Sequence, residues 1–426
     1  MEQQSGTDAG PSPAEDAGDR PKGPPSVPVV IATLLPPSGG NGVQTHFIEL
    51  MRFLEAEAVP VSLVTPFSYG GVVRDAAFGI RRVVAPFSGS ADVAWYRFGH
   101  VVFLQQALRR QLATVDDAVV YCQCPVSALA ALRARRSSRQ KVVMAVHFAV
   151  SQADEWVGKG LIPKDGRVFR SIRALERRVL DHVDGVVFVS ESARQDLWIG
   201  EVDVPTATIP NFLTVQPVPV GVARRADLLS IGTLEPRKNH RFLLDTLAAA
   251  KRRGHRYTLE IAGAGPERRN LLDQAEALGI DDQVRLLGYV PEAGNSLAGY
   301  RAYAHSAKSE VFGLALIEAM AAGVPVVAPP VGGIPTLFDD PVEGRFWDLG
   351  DADSAAAVLI ELLDDEPARA RMGAAARQRF VDHYDAAAVC PDLHRFLASV
   401  SGRPSSAGGA VGAPGKGPRQ GLPQPA

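Results

Sequence analysis

The chain has 426 residues, 46% hydrophobic and 22% charged, the balance of a folded globular protein with room for two or three domains. Its 45 Lys plus Arg against 47 Asp plus Glu leave a net charge of −2, without the basic excess of a dedicated nucleic-acid binder, so no nucleic-acid partner is expected. Three cysteines exclude a disulfide scaffold, no apolar run approaches the ~18 residues of a spanning helix, and the start has no secretory pattern, so a reducing cytoplasm is the expected location.

Residues 1–26 and 401–426 are Pro, Gly, Ser, Ala and Gln with almost no large apolar side chains, and read as disordered tails. Between them, β-branched runs at 27–35, 60–65, 118–121, 142–147 and 185–190 predict strands. Helical spacing of Val43, Phe47, Leu50 and Leu54, and of Val168, Ile172, Leu175 and Val179, predicts helices over 43–57 and 166–182. Strand–helix alternation means a doubly wound parallel α/β sheet. It stops in the Pro-containing stretch 211–225, a linker, and restarts with strands at 228–231, 258–262, 283–287 and 325–328. Residues 27–210 and 226–385 thus form two Rossmann-like domains, with 386–400 expected as a helix returning to the first. Ligands of such sheets sit beyond the carboxyl ends of the strands, here in the cleft between the domains.

Gly39-Gly40-Asn41-Gly42 joins the first strand to a helix, the setting of either a phosphate-binding turn or a plain tight turn. It is not the dinucleotide fingerprint. The second domain opens with Gly232-Thr233-Leu234-Glu235-Pro236-Arg237-Lys238, whose adjacent cations either clamp a diphosphate or are a solvated pair before a helix. Ala262-Gly263-Ala264-Gly265-Pro266 is a second glycine turn. The most specific run is Glu310-x7-Glu318 followed by Ala-Met-Ala-Ala-Gly-Val-Pro-Val-Val. On one helix the two acids would point about 80° apart. Glu310 is placed in the loop, facing a sugar, and Glu318 in the helix, near ribose hydroxyls. The amides around Gly313 and Leu314 then meet phosphate at the positive helix end. Cys122-Gln-Cys124 reads as packing rather than a metal site.

These motifs, with Gly332-Gly333-Ile334-Pro335, His147 and Ile209-Pro210-Asn211, resemble the retaining glycosyltransferases of family 4, over about 27–385 and in the family's order. The resemblance implies the GT-B fold, two Rossmann-like domains facing across a cleft, and a nucleotide-diphosphate-sugar donor. It implies Gly40, beside Gly39, as an amide donor to the distal phosphate, and His147 beside the donor sugar and acceptor. It implies Lys238 and Arg237 on the diphosphate, Glu310 on sugar hydroxyls, Glu318 on ribose, and Gly232, Thr233 and Gly263 around the donor. Backbone near Tyr289 and Val290 would hold the base, a uracil or a guanine. Asn41, Asp154 and Glu155 fall on the acceptor side. No cofactor and no metal are implied. Thr233, Phe212 and Thr336 depart from the family, which often has Arg, Gly and Glu there.

Arg167, Arg170, Arg173, Arg177 and Arg178 surround one amphipathic helix, either a peripheral contact with anionic lipid or a solvated face. The acceptor, a small molecule or a glycan or lipid-linked carrier, and the oligomeric state are not legible. Two rival readings share the fold: a nucleotide-sugar 2-epimerase, and a non-catalytic activator of a partner transferase. The intact Glu310, Glu318, Lys238 and His147 set favours the transferase.

Overall fold

The computed structural model describes residues 27–402 except 37–41, 69–70, 72–74, 76–77, 80–86, 215 and 218–221. The tails up to Ser26 and beyond Gly402 lie outside the described residues, as do Gly39, Gly40 and Asn41.

The first half runs β1 (Val29–Ala32), α1 (Gly42–Ala56), β2 (Val61–Val64), α2 (Gly89–Gln111), β3 (Ala118–Cys122), α3 (Pro125–Ala134) and β4 (Gln140–Val146). It continues with α4 (Gln152–Gly158), α5 (Arg167–Leu180), β5 (Gly185–Phe188), α6 (Glu191–Gln195) and β6 (Thr206–Thr208). The strands form one parallel sheet in the order β2-β1-β3-β4-β5-β6. The second half runs β7 (Leu228–Ile231), α7 (His240–Arg252), β8 (Leu259–Ala262), α8 (Arg268–Ala277), β9 (Val284–Gly288), a 3-10 segment at Ala293–Gly299, and β10 (Ala302–Ala304). Then come α9 (Leu314–Ala321), β11 (Val326–Ala328), β12 (Gly344–Phe346), α10 (Ala352–Asp364), α11 (Glu366–His383) and α12 (Ala386–Val400). Its sheet is also parallel, in the order β12-β11-β10-β7-β8-β9. This is the two-domain α/β architecture that the alternation predicts.

The predicted strands all appear, β7 with the predicted bounds, β3 and β4 a residue longer, β9 shifted by one, and β1, β2, β5, β8 and β11 shorter than predicted. Strands β6, β10 and β12, of three residues each, escape the sequence reading, because they lack the β-branched Val-Pro-Val-Val run that marks the equally short β11. Apolar clusters fill both faces of each sheet. Full burial of Phe47, Leu50 and Leu54 on α1 contributes roughly 1.5–3 kcal/mol each. Those side chains share their cluster with Val389, Cys390, Leu393 and Leu397 of α12, so the last helix packs on the first sheet. The chain's two crossings between domains run side by side: Leu213 N donates to Tyr384 O at 3.1 Å, and Ala386 N to Leu213 O at 2.8 Å.

Part of the α5 arginine face is engaged internally. Arg173 donates to Asp154 at 2.7 Å and stacks on Phe169 and Trp198, where Arg177 also lies. Among the described residues no helix is long and apolar enough to cross a membrane.

Candidate active site

A strand order that reverses between β10 and β7 opens a crevice between the loops leaving those strands, where doubly wound sheets bind ligands. The β7 loop carries Gly232 to Lys238 and ends at Asn239, whose left-handed conformation (φ 54°) turns the chain into α7. The β10 loop carries His305 to Glu310. Lys238 Nζ lies 2.6 Å from Glu310 Oε2, with both side chains mostly shielded from water. Arg237 stands outside them, donating to Ser309 O at 2.9 Å and to Glu235 at 3.1 Å, with Glu310 at 3.9 Å. Burial pushes the Glu310 carboxyl up, but the Lys238 ammonium and the His305 ring outweigh it and hold the group well below the usual carboxylate range. Lys238 and Glu310 are therefore an ionised pair.

His305 sits behind this pair, its Nε2 3.6 Å from Glu310 Oε2 and without a hydrogen-bond partner among the described residues. Burial, with Lys238 nearby, pushes its imidazole down, so the ring is neutral at pH 7. Its backbone is fixed by Trp347, whose Nε1 donates to His305 O at 3.0 Å. The sequence reading missed His305 because it follows β10, one of the unread strands.

The glycine motifs have a physical reason in this crevice. A Cβ on Gly263 would collide with Gly232 O, and one on Gly265 with Leu234 O. The second glycine turn thus lets the β8 loop press backbone to backbone on the β7 loop, sealed by Leu234 N donating to Ala264 O at 3.0 Å. Gly332 (φ 54°) and Gly333 do the same behind the acid: their Cβ atoms would strike Glu310 O and Val311 O, and Gly333 N donates to Glu310 O at 3.0 Å. Gly313 (φ 93°) caps α9, so the amides at Leu314 open into the crevice. Glu318, in the second turn of α9, has its carboxyl pushed up to about 7 by burial. Gly294 lies against it: a Cβ there would sit 2.8 Å from Glu318 Oε2. Tyr289 is exposed, and Val290 lines a cavity of about 560 Å³ beside the 3-10 segment.

On the first domain, His147 follows β4, and its Nε2 meets Gln123 Oε1 at 3.1 Å. Burial pushes its ring down to about 4, so it is a neutral imidazole. His46 packs edge-on against it at 5.2 Å, its own Nε2 3.1 Å from Tyr121 OH. Phe212, the residue standing where the family has Gly, fills the space on His46 at 4.8 Å. Gln123 also escaped the sequence reading, hidden between two cysteines read as packing. Asp154 is tied to Arg173. Glu155, next to it on α4, is exposed. The domains touch where Ser190 Oγ donates to Val311 O at 2.7 Å, next to Glu310.

The family model "Glycosyltransferase Family 4" matches residues 40–216, and "Glycosyl transferases group 1" matches 221–379. The chain belongs to glycosyltransferase family 4. It is similar to the phosphatidyl-myo-inositol mannosyltransferase of Mycolicibacterium smegmatis, 28% identical over 85% of this chain and 91% of that protein. It is 30% identical, over 64% of this chain and 73% of that protein, to the GDP-mannose-dependent alpha-(1-6)-phosphatidylinositol monomannoside mannosyltransferase of Mycobacterium tuberculosis. Among solved structures, sucrose-phosphate synthase from Thermosynechococcus elongatus superposes with a TM-score of 0.68 at 17% identity, covering 88% of this chain and 99% of that one. The GT-B fold is thus that of a glycosyltransferase.

In this family 4 glycosyltransferase, Lys238, Arg237, Glu310, Gly313 and Leu314 gather in one crevice, with Gly232 and Thr233 on its near wall and Glu318 one helical turn deeper. Asp154 serves α4 and α5, and Gly263 supports the β7 loop.

Proposed function

We propose that the chain is a retaining glycosyltransferase that moves a sugar from a nucleoside-diphosphate donor to a hydroxyl acceptor without a metal ion. The observation carrying this reading is the Lys238–Glu310 pair at the strand switch point, flanked by Arg237 and the open N-terminus of α9. An ammonium has three donors, so Lys238 holds Glu310 and still reaches a phosphate oxygen. Arg237 and the Leu314 amide add positive potential where charge collects as the sugar departs. Glu310, locked as a carboxylate, accepts from sugar hydroxyls, and Glu318 accepts from the ribose.

The bond from the anomeric carbon to the diphosphate breaks with its electron pair passing to the phosphate. The acceptor oxygen bonds the same face of that carbon and gives its proton to the departing phosphate oxygen. Protein groups position and stabilise charge; neutral His147 orients the sugar from the opposite wall. Both curated relatives are named for phosphatidylinositol acceptors, so a polyol hydroxyl, free or lipid-linked, is the first acceptor class to test. Turnover of UDP- and GDP-sugars in EDTA, with the product's anomeric configuration read by NMR, tests the reading. An inverted anomer or an absolute need for Mg²⁺ refutes it.

A further inference from the structure

The strand order of the first sheet reverses between β1 and β3, so this sheet has its own crevice between the loops that leave those strands. Gln123 follows β3 directly, and its backbone N donates to Ala32 O, at the end of β1, at 3.1 Å, which fixes the residue at the reversal. Strand β3 also lies beside β4, with Cys122 opposite Met144, and that pairing sets the Gln123 side chain against His147, Oε1 to Nε2 at 3.1 Å. Gln123 is 4% exposed, and its Nε2 is enclosed without a hydrogen-bond partner among the described residues. A buried amide left half unpaired costs stability, so a leucine of similar volume would hold this place at least as well. Only the amide oxygen has a task, and it meets the ring. His147 itself is half-buried; Gln123 is the one hydrogen-bond partner of its ring among the described residues, and Nδ1 is not among the enclosed atoms.

We propose that Gln123 is a positioning residue that holds the proton of the His147 ring on Nε2 and so presents Nδ1 to the cleft as a hydrogen-bond acceptor; this rests on the transferase reading above. An amide oxygen only accepts, so the ring nitrogen facing it must carry the hydrogen. A neutral imidazole has a single N–H, and the hydrogen bond at one nitrogen decides the state of the other. With a lone pair on Nδ1, the ring takes a hydrogen bond from a hydroxyl of the donor sugar or of the acceptor. The opposite tautomer could only give one. Burial alone pushes the ring down to about 4, so no proton occupies that lone pair at neutral pH. His46, the titratable side chain packed on the ring from α1 at 5.2 Å, is itself neutral, pushed down by burial and by His147. Gln123 touches no substrate; it acts through His147.

Nitrogen-15 NMR of the histidine rings in the full chain reads the tautomer, with the His147 signals assigned by their loss in His147→Gln. A protonated Nε2 and an unprotonated Nδ1 are expected. A proton on Nδ1 overturns the proposal, and because this readout needs no turnover, the transferase reading survives it. Gln123→Leu should keep the melting temperature and lower kcat about tenfold at saturating donor, with little change in donor KM. Gln123→Glu keeps an oxygen facing Nε2 and should restore most of that rate at about pH 8. Its carboxylate raises the pKa of the ring, and an imidazolium has no lone pair, so kcat should fall toward about pH 6 more steeply than in the wild type. An unchanged kcat in Gln123→Leu, or a Glu variant no faster than the Leu variant, overturns the role of Gln123. A wild-type chain that transfers no sugar overturns both readings.

Discussion

Replacing Lys238 by Ala removes the ammonium that touches Glu310, at 2.6 Å. Side-chain exposures of 17% and 14% leave little water to take over its charge, so the loss is felt at nearly full strength. Negative charge on the diphosphate grows as the sugar leaves, and the missing interaction therefore weakens the transition state more than the bound donor. Loss of one such donor costs about 10²–10³ in turnover, or about 2.7–4 kcal/mol. A second effect adds to it: Glu310 is left with the more distant Arg237 at 3.9 Å and His305 at 3.6 Å, and its carboxyl rises from the depressed range that Lys238 maintains. Steady-state kinetics with the donor varied should show kcat falling at least a hundredfold with a smaller change in donor KM. Lys238→Arg should restore part of the rate, because a planar fork does not reproduce a point charge. The double variant with Glu310→Ala should be far less damaging than the product of the singles, since the two act as a unit. Near-normal turnover in Lys238→Ala, with Arg237→Ala abolishing it, would refute this placement of the diphosphate.

Activity should survive EDTA, measured as product formation after dialysis. Glu318, pushed up to about 7, accepts from both ribose hydroxyls only as a carboxylate, so donor binding favours loss of its proton. Affinity for an intact nucleotide sugar should be flat above pH 7 and fall up to about tenfold per unit below it, and Glu318→Gln should flatten that slope; a slope surviving the substitution assigns it elsewhere. Gly332→Ala drives a Cβ into Glu310 O from a left-handed backbone, so its melting temperature should drop by several degrees and turnover should fall with it, whereas Gly254→Ala, also left-handed (φ 89°) but in open space, should keep turnover.

The α/β alternation and the second-domain motifs were legible because the charge-bearing residues lie in short, ordered spans around strand ends, as Lys238 and Glu310 do. The sequence did not reveal why the glycines were there. Gly263 and Gly332 matter through backbones 31 and 22 residues away along the chain, at Gly232 and Glu310, and no local pattern encodes such an approach. His305 and Gln123 were hidden for a related reason: each closes a strand whose pairing, not its composition, places it at the cleft. Phe212, a departure from the family, becomes intelligible only once His46 is seen resting on it.

The return of α12 to the first sheet has a consequence for how the molecule comes into being on the ribosome. Phe47 and Leu50 await Leu393 and Leu397, which are synthesised last. The whole second domain emerges in the interval, about 10–30 s at ordinary elongation rates. During that time the part of one apolar sheet face that α1 does not cover lies open, and the second domain can complete its packing before the first does. Nascent chains halted short of residue 386 should therefore engage holding chaperones through the first domain, and chains released at residue 402 should not.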